Sequence, residues 1–302
     1  MPKVSVILPN YNHAVYLTQR IDSILSQSYQ DFELIILDDN SKDDSTKVID
    51  TYRGHPKITH IIYNDENSGS TFKQWEKGIE VANGEFIWIA ESDDWSEKNL
   101  LEELVTGIEK DQNCVISYCQ SYCVYETNVI SWVSQHPYLS ELMEGSAFIK
   151  QYMLMNNTIF NASMVLWKRD LFPKITKEFK NYKLSGDWIF WIELANLGKV
   201  HISGRVLNYF RKHDKDISGK AFKSGLNFLE ALKIINSLYE RNLVSKKDYH
   251  AAFKMQFRNY YPIKNSLPPE FKKEIDLLFK HPLTAKSLYY KILLSAVWRN
   301  IK

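Results

Sequence analysis

The sequence predicts a doubly wound α/β sheet followed by an α-helical extension, and three observations carry that reading. Four strand–helix units alternate over the first ~110 residues, the signature of a parallel sheet with helices on both faces. The apolar run FIWIA at 86–90 lacks helical periodicity and breaks into three acids within four positions, Glu91, Asp93 and Asp94. A strand buried on both faces reads this way, and open α/β sheets bind ligands at the carboxyl ends of such strands. Beyond ~220 the periodicity is helical only, over 222–240, 246–259, 270–280 and 284–301.

The elements follow in order. VSVILP at 4–9 is a β-rich run closed by proline, and NYN at 10–12 is the turn after it. Val15, Leu17, Ile21, Ile24 and Leu25 recur at helical spacing. FELIIL at 32–37 is a second buried strand ending in Asp38 and Asp39. Ser41, with Asp44 three residues on, reads as the N-cap of a helix through Tyr52. A third strand covers 58–63, and a helix runs from about Phe72 to Ala82. Gly84 then turns the chain into the acid-ended strand. The middle segment, ~111–215, is less regular. Strands are expected at 114–119, 163–167 and 207–210, and helices at 144–155 and from Asp187. Trp188, Trp191, Ile192 and Ala195 fall on one stripe, as core residues do.

Composition narrows the function. Of 302 residues, 44% are hydrophobic and 14% aromatic, enough for a sizeable core. Lys+Arg 38 against Asp+Glu 36 leaves a net charge of +2, which argues against nucleic acid as the main partner. No apolar run approaches the ~20 residues that span a bilayer. The N-terminus enters a strand pattern without the form of a signal peptide, and the three cysteines suit a reducing, cytoplasmic compartment. The Asn-x-Ser/Thr triplets at Asn156 and Asn161 are then chance matches.

Adjacent carboxylates repel when ionised, and a divalent cation relieves the repulsion. An acidic, capped helix start accounts for the same residues, just as a bare cap accounts for Asp187. No dinucleotide fingerprint or Walker A segment follows any strand. The phosphates of a bound nucleotide would be neutralised another way, as by a metal on Asp93 and Asp94.

These motifs together resemble family 2 glycosyltransferases. VSVILPNYN at 4–12, LSQSY at 25–29, DFEL at 31–34 and DDNS at 38–41 carry the first half of the likeness. GEFI at 84–87 with SDD at 92–94, then GDW at 186–188 and YFRKH at 209–213, carry the rest, over about residues 3–218. The resemblance implies a GT-A fold with a mixed sheet, a nucleotide-sugar donor, a divalent metal (Mn2+ or Mg2+) and inversion at the anomeric carbon. It divides the chain into a transferase domain, 1–218, with a nucleotide-sugar half (1–110) and an acceptor half (111–218), and an extension, 219–302.

By the same resemblance, Pro9 and Tyr11 line the nucleoside pocket, and Asp39 accepts from the uracil N–H. Asp93 contacts ribose or metal, Asp94 the metal, and Arg211, on the donor side, and His213, toward the metal, lie near the diphosphate or metal. Asp187 is the general base. Glu91 stands where the family more often has aspartate, and Lys73-Gln74-Trp75 replaces the usual Arg-Asn turn, with Lys73 taking the cationic role toward the diphosphate.

The implied acceptor is a saccharide or lipid-linked saccharide of the cell surface. The last helix mixes Lys286, Lys291 and Arg299 with Tyr289, Tyr290 and Leu294. It suits a peripheral contact with the inner face of the membrane, packing on the core, or a homodimer contact. Two other classes compete. A nucleotidyltransferase would want a glycine-rich basic loop after the first strand, which is missing. A non-catalytic sugar-nucleotide-binding protein would not need acids at every expected site.

Overall fold

The computed structural model describes residues 1–127, 129–213 and 224–300, with side chains through residue 296. Strands β1 (Val4–Asn10), β2 (Phe32–Asp38), β3 (Ile58–Tyr63) and β4 (Phe86–Ile89) alternate with helices α1 (Ala14–Leu25), α2 (Ser45–Asp50) and α3 (Thr71–Val81). Every residue of β1, β2 and β4 is buried, as the unbroken apolar runs require of strands covered on both faces. These four strands are parallel, in the order β3-β2-β1-β4.

Past β4 come β5 (Trp95–Ser96), α4 (Leu100–Ile108), β6 (Cys114–Tyr125), β7 (Ile130–Val133), β8 (Ser140–Glu144), α5 (Gly145–Phe148) and β9 (Val165–Lys168). Helix α6 (Gly186–Ala195) and the long strand β10 (Lys199–Lys212) complete the sheet. β9 runs antiparallel to both β4 and β6, which joins the parallel half to the order β9-β6-β10-β5 and makes the sheet mixed. This is the expected architecture.

Local expectations differ in three places. Ser41 is not a helix cap: its N–H and hydroxyl donate to Asp38 at 2.9 and 2.6 Å, and α2 starts only at Ser45. The buried carboxylate at the end of β2 captures the serine first. The 144–155 segment is one α-turn continued as a wider π-helical stretch, Ile149–Met153. β6 and β10 run well past the apolar cores that marked them, because they pair with each other over their full length.

Helices α7 (Leu226–Glu240), α8 (Lys246–Tyr260), α9 (Pro269–Lys280) and α10 (Ser287–Asn300) form the extension. The expected start of α7 at 222, the end of α10 at 301, and Asp214 lie outside the described residues. Leu232, Ile235, Phe253, Tyr260 and Phe279 are fully buried. In α10, Leu288 and Ile292 pack inward while Tyr290 and Leu294 face solvent. Among the described residues no helix is long and apolar enough to cross a membrane.

Candidate active site

The parallel register sets Asn10 opposite Asp38, so the polar ends of β1 and β2 meet on one rim. Asn10 Nδ2 donates to Asp38 Oδ2 at 2.8 Å. The next residue, Asp39, is buried and organises the neighbouring loop. Its Oδ1 accepts from Asn64 Nδ2 (2.7 Å), Ser68 N (2.9 Å) and Gln74 Nε2 (2.9 Å), and its Oδ2 from Ser68 Oγ (2.8 Å). The expected uracil acceptor is thus largely engaged by the protein, and it shapes the rim from inside. Pro9 is buried at the end of β1, whereas Tyr11 is 45% exposed beside it. Lys73 is exposed, donates to the Ser68 carbonyl at 3.0 Å, and lines an open cleft of about 550 Å³ with Lys77, Tyr63 and Asn64.

Asp93 lies at the centre of the acidic segment. His213 Nε2 is 3.1 Å from its Oδ2. Among the described residues one group offers three metal-ligand atoms within 4.8 Å of one another: His13, Asp93 and His213. Burial raises the Asp93 pKa, but the hydrogen bond to His213 and the nearby imidazoles outweigh it and hold the carboxyl below its usual range.

Asp94, expected as a metal ligand, is held by the protein itself. It is 1% exposed, and its carboxylate already accepts from Asn161 Nδ2 (2.6 Å), Ser163 Oγ (2.7 Å) and Arg211 N (3.0 Å). Burial and the charge of Asp93 push its pKa up. A ligand bound by Asp94 would have to break that internal network, whereas His13 offers a ligand atom beside Asp93 and His213. The same forces, burial first and Asp93 second, raise Glu91 to about 8, and Trp75 Nε1 donates to it at 2.9 Å. Arg20, fully buried over the Trp88 ring, counters the acids with its charge.

Arg211 is buried next to Asp93. Its guanidinium is sandwiched between Tyr16 (4.6 Å) and Trp95 (4.4 Å). Its Nε donates to the Asp93 carbonyl at 2.8 Å and Nη2 to Gln19 at 2.6 Å. At 6% exposure it holds the Asp93 backbone in place, beside the expected metal and diphosphate region.

Asp187 enters at the first turn of α6. Gly186 is required there, because a Cβ would lie 2.4 Å from the Phe179 carbonyl and 2.5 Å from the Phe72 ring. Asp187 Oδ2 accepts from Asn157 Nδ2 at 3.0 Å and Oδ1 from Trp188 N at 2.8 Å. Burial outweighs these donors and raises the carboxyl to about 7. Asn157 on Asp187 and Asn161 on Asp94 belong to one segment. Four residues reach at most about 14 Å between Cα atoms, so one short segment contacts both carboxylates. Asn157, Asn161, Ser163 and His13 contact or join the candidate site residues, and the sequence reading did not single them out. The polar cluster at 156–163, dismissed as chance triplets, was the available signal.

Residues 5–176 match the model of Glycosyl transferase family 2. The chain belongs to this family. Asp187, Arg211 and His213 lie beyond the matched segment, and each bonds a residue within it: Asn157 for Asp187, and Asp93 for the other two. GlyG, a glycosyltransferase of Streptococcus pneumoniae, is 33% identical over 179 residues, 57% of this chain and 58% of its own length. The GalNAc(5)-diNAcBac-PP-undecaprenol beta-1,3-glucosyltransferase of Campylobacter jejuni is 25% identical over 262 residues, 82% of this chain and 78% of that one. Among solved structures, S. aureus TarS 1-349 in complex with UDP-GlcNAc superposes with a TM-score of 0.70 at 18% identity, covering 92% of this chain and 79% of that one. That likeness shows the shared GT-A fold.

Proposed function

We propose that this family member is an inverting glycosyltransferase that moves a sugar from a UDP-linked donor to a hydroxyl of a lipid-linked cell-surface saccharide. The observation that supports this is the 157–163 segment, which contacts both Asp187, a carboxylate poised near neutrality, and Asp94, the chain neighbour of Asp93 in the acid–imidazole cluster. Direct displacement at an anomeric carbon needs those two functions on opposite sides of one atom. Asp187 accepts the proton of the incoming hydroxyl, and Asn157 orients it through Oδ2.

On the donor side, Asp39 keeps the 64–70 loop in shape, the exposed Tyr11 next to the end of β1 offers a face to the base, and Lys73 offers a cation near the cleft. His13, Asp93 and His213 fit a divalent cation: a carboxylate held ionised beside two imidazoles is a donor set that suits Mn2+ better than all-oxygen Mg2+. Such an ion, when bound, would neutralise charge on the departing diphosphate. Arg211 keeps Asp93 in place, and the buried charge of Arg20 partly balances the acids around it.

The relative from C. jejuni, named for an undecaprenol-linked substrate, supports the lipid-linked acceptor. The exposed Tyr290 and Leu294 on α10 support a peripheral membrane contact by the extension. Thermal unfolding with a panel of nucleoside diphosphates, with and without Mn2+, tests the donor class. A ligand at a hundredfold excess over Kd stabilises by about 2.7 kcal/mol. UDP stabilising only with Mn2+ is the expected result, whereas a response to GDP alone would reassign the donor.

A further inference from the structure

We infer that Glu230, on the C-terminal extension, is a positioning residue that sets the place of Asp187 from behind. This rests on Asp187 being the base. The Glu230 carboxylate is 5% exposed and accepts three consecutive backbone N–H groups: Lys183 at 2.8 Å, Leu184 at 3.0 Å and Ser185 at 2.7 Å. These amides lead directly into α6, whose first turn carries Asp187. A helix entry leaves N–H groups without intrahelical partners, and an anion there is favourable. Here the anion comes from a helix 45 residues downstream.

Two further contacts complete the brace. Gln256 Nε2 donates to the Met155 carbonyl at 3.1 Å, two residues before Asn157, the partner of Asp187. Arg241 Nη1 donates to Glu193 at 2.9 Å near the far end of α6. Glu193 in turn accepts from Thr176 N and Oγ1, both at 2.7 Å. Tyrosines aside, Glu230 and Gln256 are the buried polar side chains of the extension among the described residues. Both reach the two segments that present Asp187 and Asn157. Phe228, Leu229, Leu232 and Ile235 would suffice to pack α7. Burying an acid among them costs stability unless its acceptors are filled, and here they are filled by the loop that enters α6. The extension therefore sets the acceptor-side geometry, and the transferase body does not fix it alone.

The test uses the full chain and compares Glu230→Gln, Asp187→Asn and a control, Tyr249→Phe, which removes a buried hydroxyl bonded to Asn236 elsewhere in the extension. One amide oxygen cannot serve three donors, so the loop at 183–185 should lose amide-exchange protection. The expected kinetic result for Glu230→Gln is a fall in kcat of about 10- to 100-fold with KM for the donor unchanged, the signature of a displaced reactive group. The control should lower Tm and leave kcat alone. The inference is overturned if Glu230→Gln keeps kcat while Asp187→Asn is inactive, or if its kcat, donor KM and Tm fall together. Near-normal turnover by Asp187→Asn removes the base assignment, and this inference with it.

Discussion

His213 Nε2 stands 3.1 Å from Asp93 Oδ2 although 120 residues separate them, and His13 joins the pair from the other end of the domain. The end of β10, the loop after β4 and the start of α1 thus supply one ligand atom each. His13→Ala and Asp93→Asn should weaken Mn2+ binding at least as much as the about 10–100-fold seen on losing outer-shell partners. Asp94→Asn should leave it nearly unchanged. Electron paramagnetic resonance of free Mn2+ reads the difference, and a loss confined to Asp94→Asn would restore the original ligand set.

Asp187 should control the chemical step. Asp187→Asn is expected to lower kcat by about 10²–10⁴-fold while UDP binding by calorimetry stays intact. With its carboxyl raised to about 7, the ionised fraction falls as pH drops, so kcat should decline on the acid side with a midpoint near that value. A flat profile from pH 5 to 8 would assign the proton to another group.

Stability should run against activity. Glu91, at about 8, and Asp187, at about 7, hold their protons more tightly in the folded chain than at their ordinary values of 4.5 and 3.8. Between those limits the folded state binds more protons, so this contribution is full below the unfolded values and is lost as pH rises through the folded ones. Glu91→Gln should therefore raise Tm relative to the parent at pH 8.5 and change it little at pH 4. Equal shifts at both pH values would contradict the burial argument.

Arg211→Lys removes a planar cation from between two rings and takes away its donors to Gln19 and the Asp93 carbonyl. A loss of about 1–3 kcal/mol is expected in urea unfolding, together with weaker Mn2+ binding through the released Asp93. An unchanged metal affinity would mean that Asp93 holds its position without the guanidinium.

Asp39→Asn replaces an acceptor with an amide that must present one N–H toward other donors. The 64–70 loop should loosen, at a cost of about 1–3 kcal/mol, and UDP affinity should fall with it. Amide exchange at Ser68 is the direct readout, because its N–H is bound to Asp39.

The alternation of fully apolar runs with amphipathic helices was legible residue by residue, because strand and helix periodicities are local properties of the chain. So was the acidic rim, since parallel strands covered on both faces must place their polar ends together. Roles within the rim were not. Asp93 and Asp94 are neighbours of the same type, and only Asn161, Ser163 and the backbone of Arg211 make one an internal anchor and leave the other to the imidazoles. Ser41 looked like a cap until Asp38 claimed it. His13 and Glu230 carried no pattern at all, because their meaning lies in partners 45 to 200 residues away along the chain. Periodicity follows from the geometry of successive residues, so a chain displays it before it folds. The protonation and orientation of a buried acid depend on what surrounds it, and that exists only once distant segments have packed together.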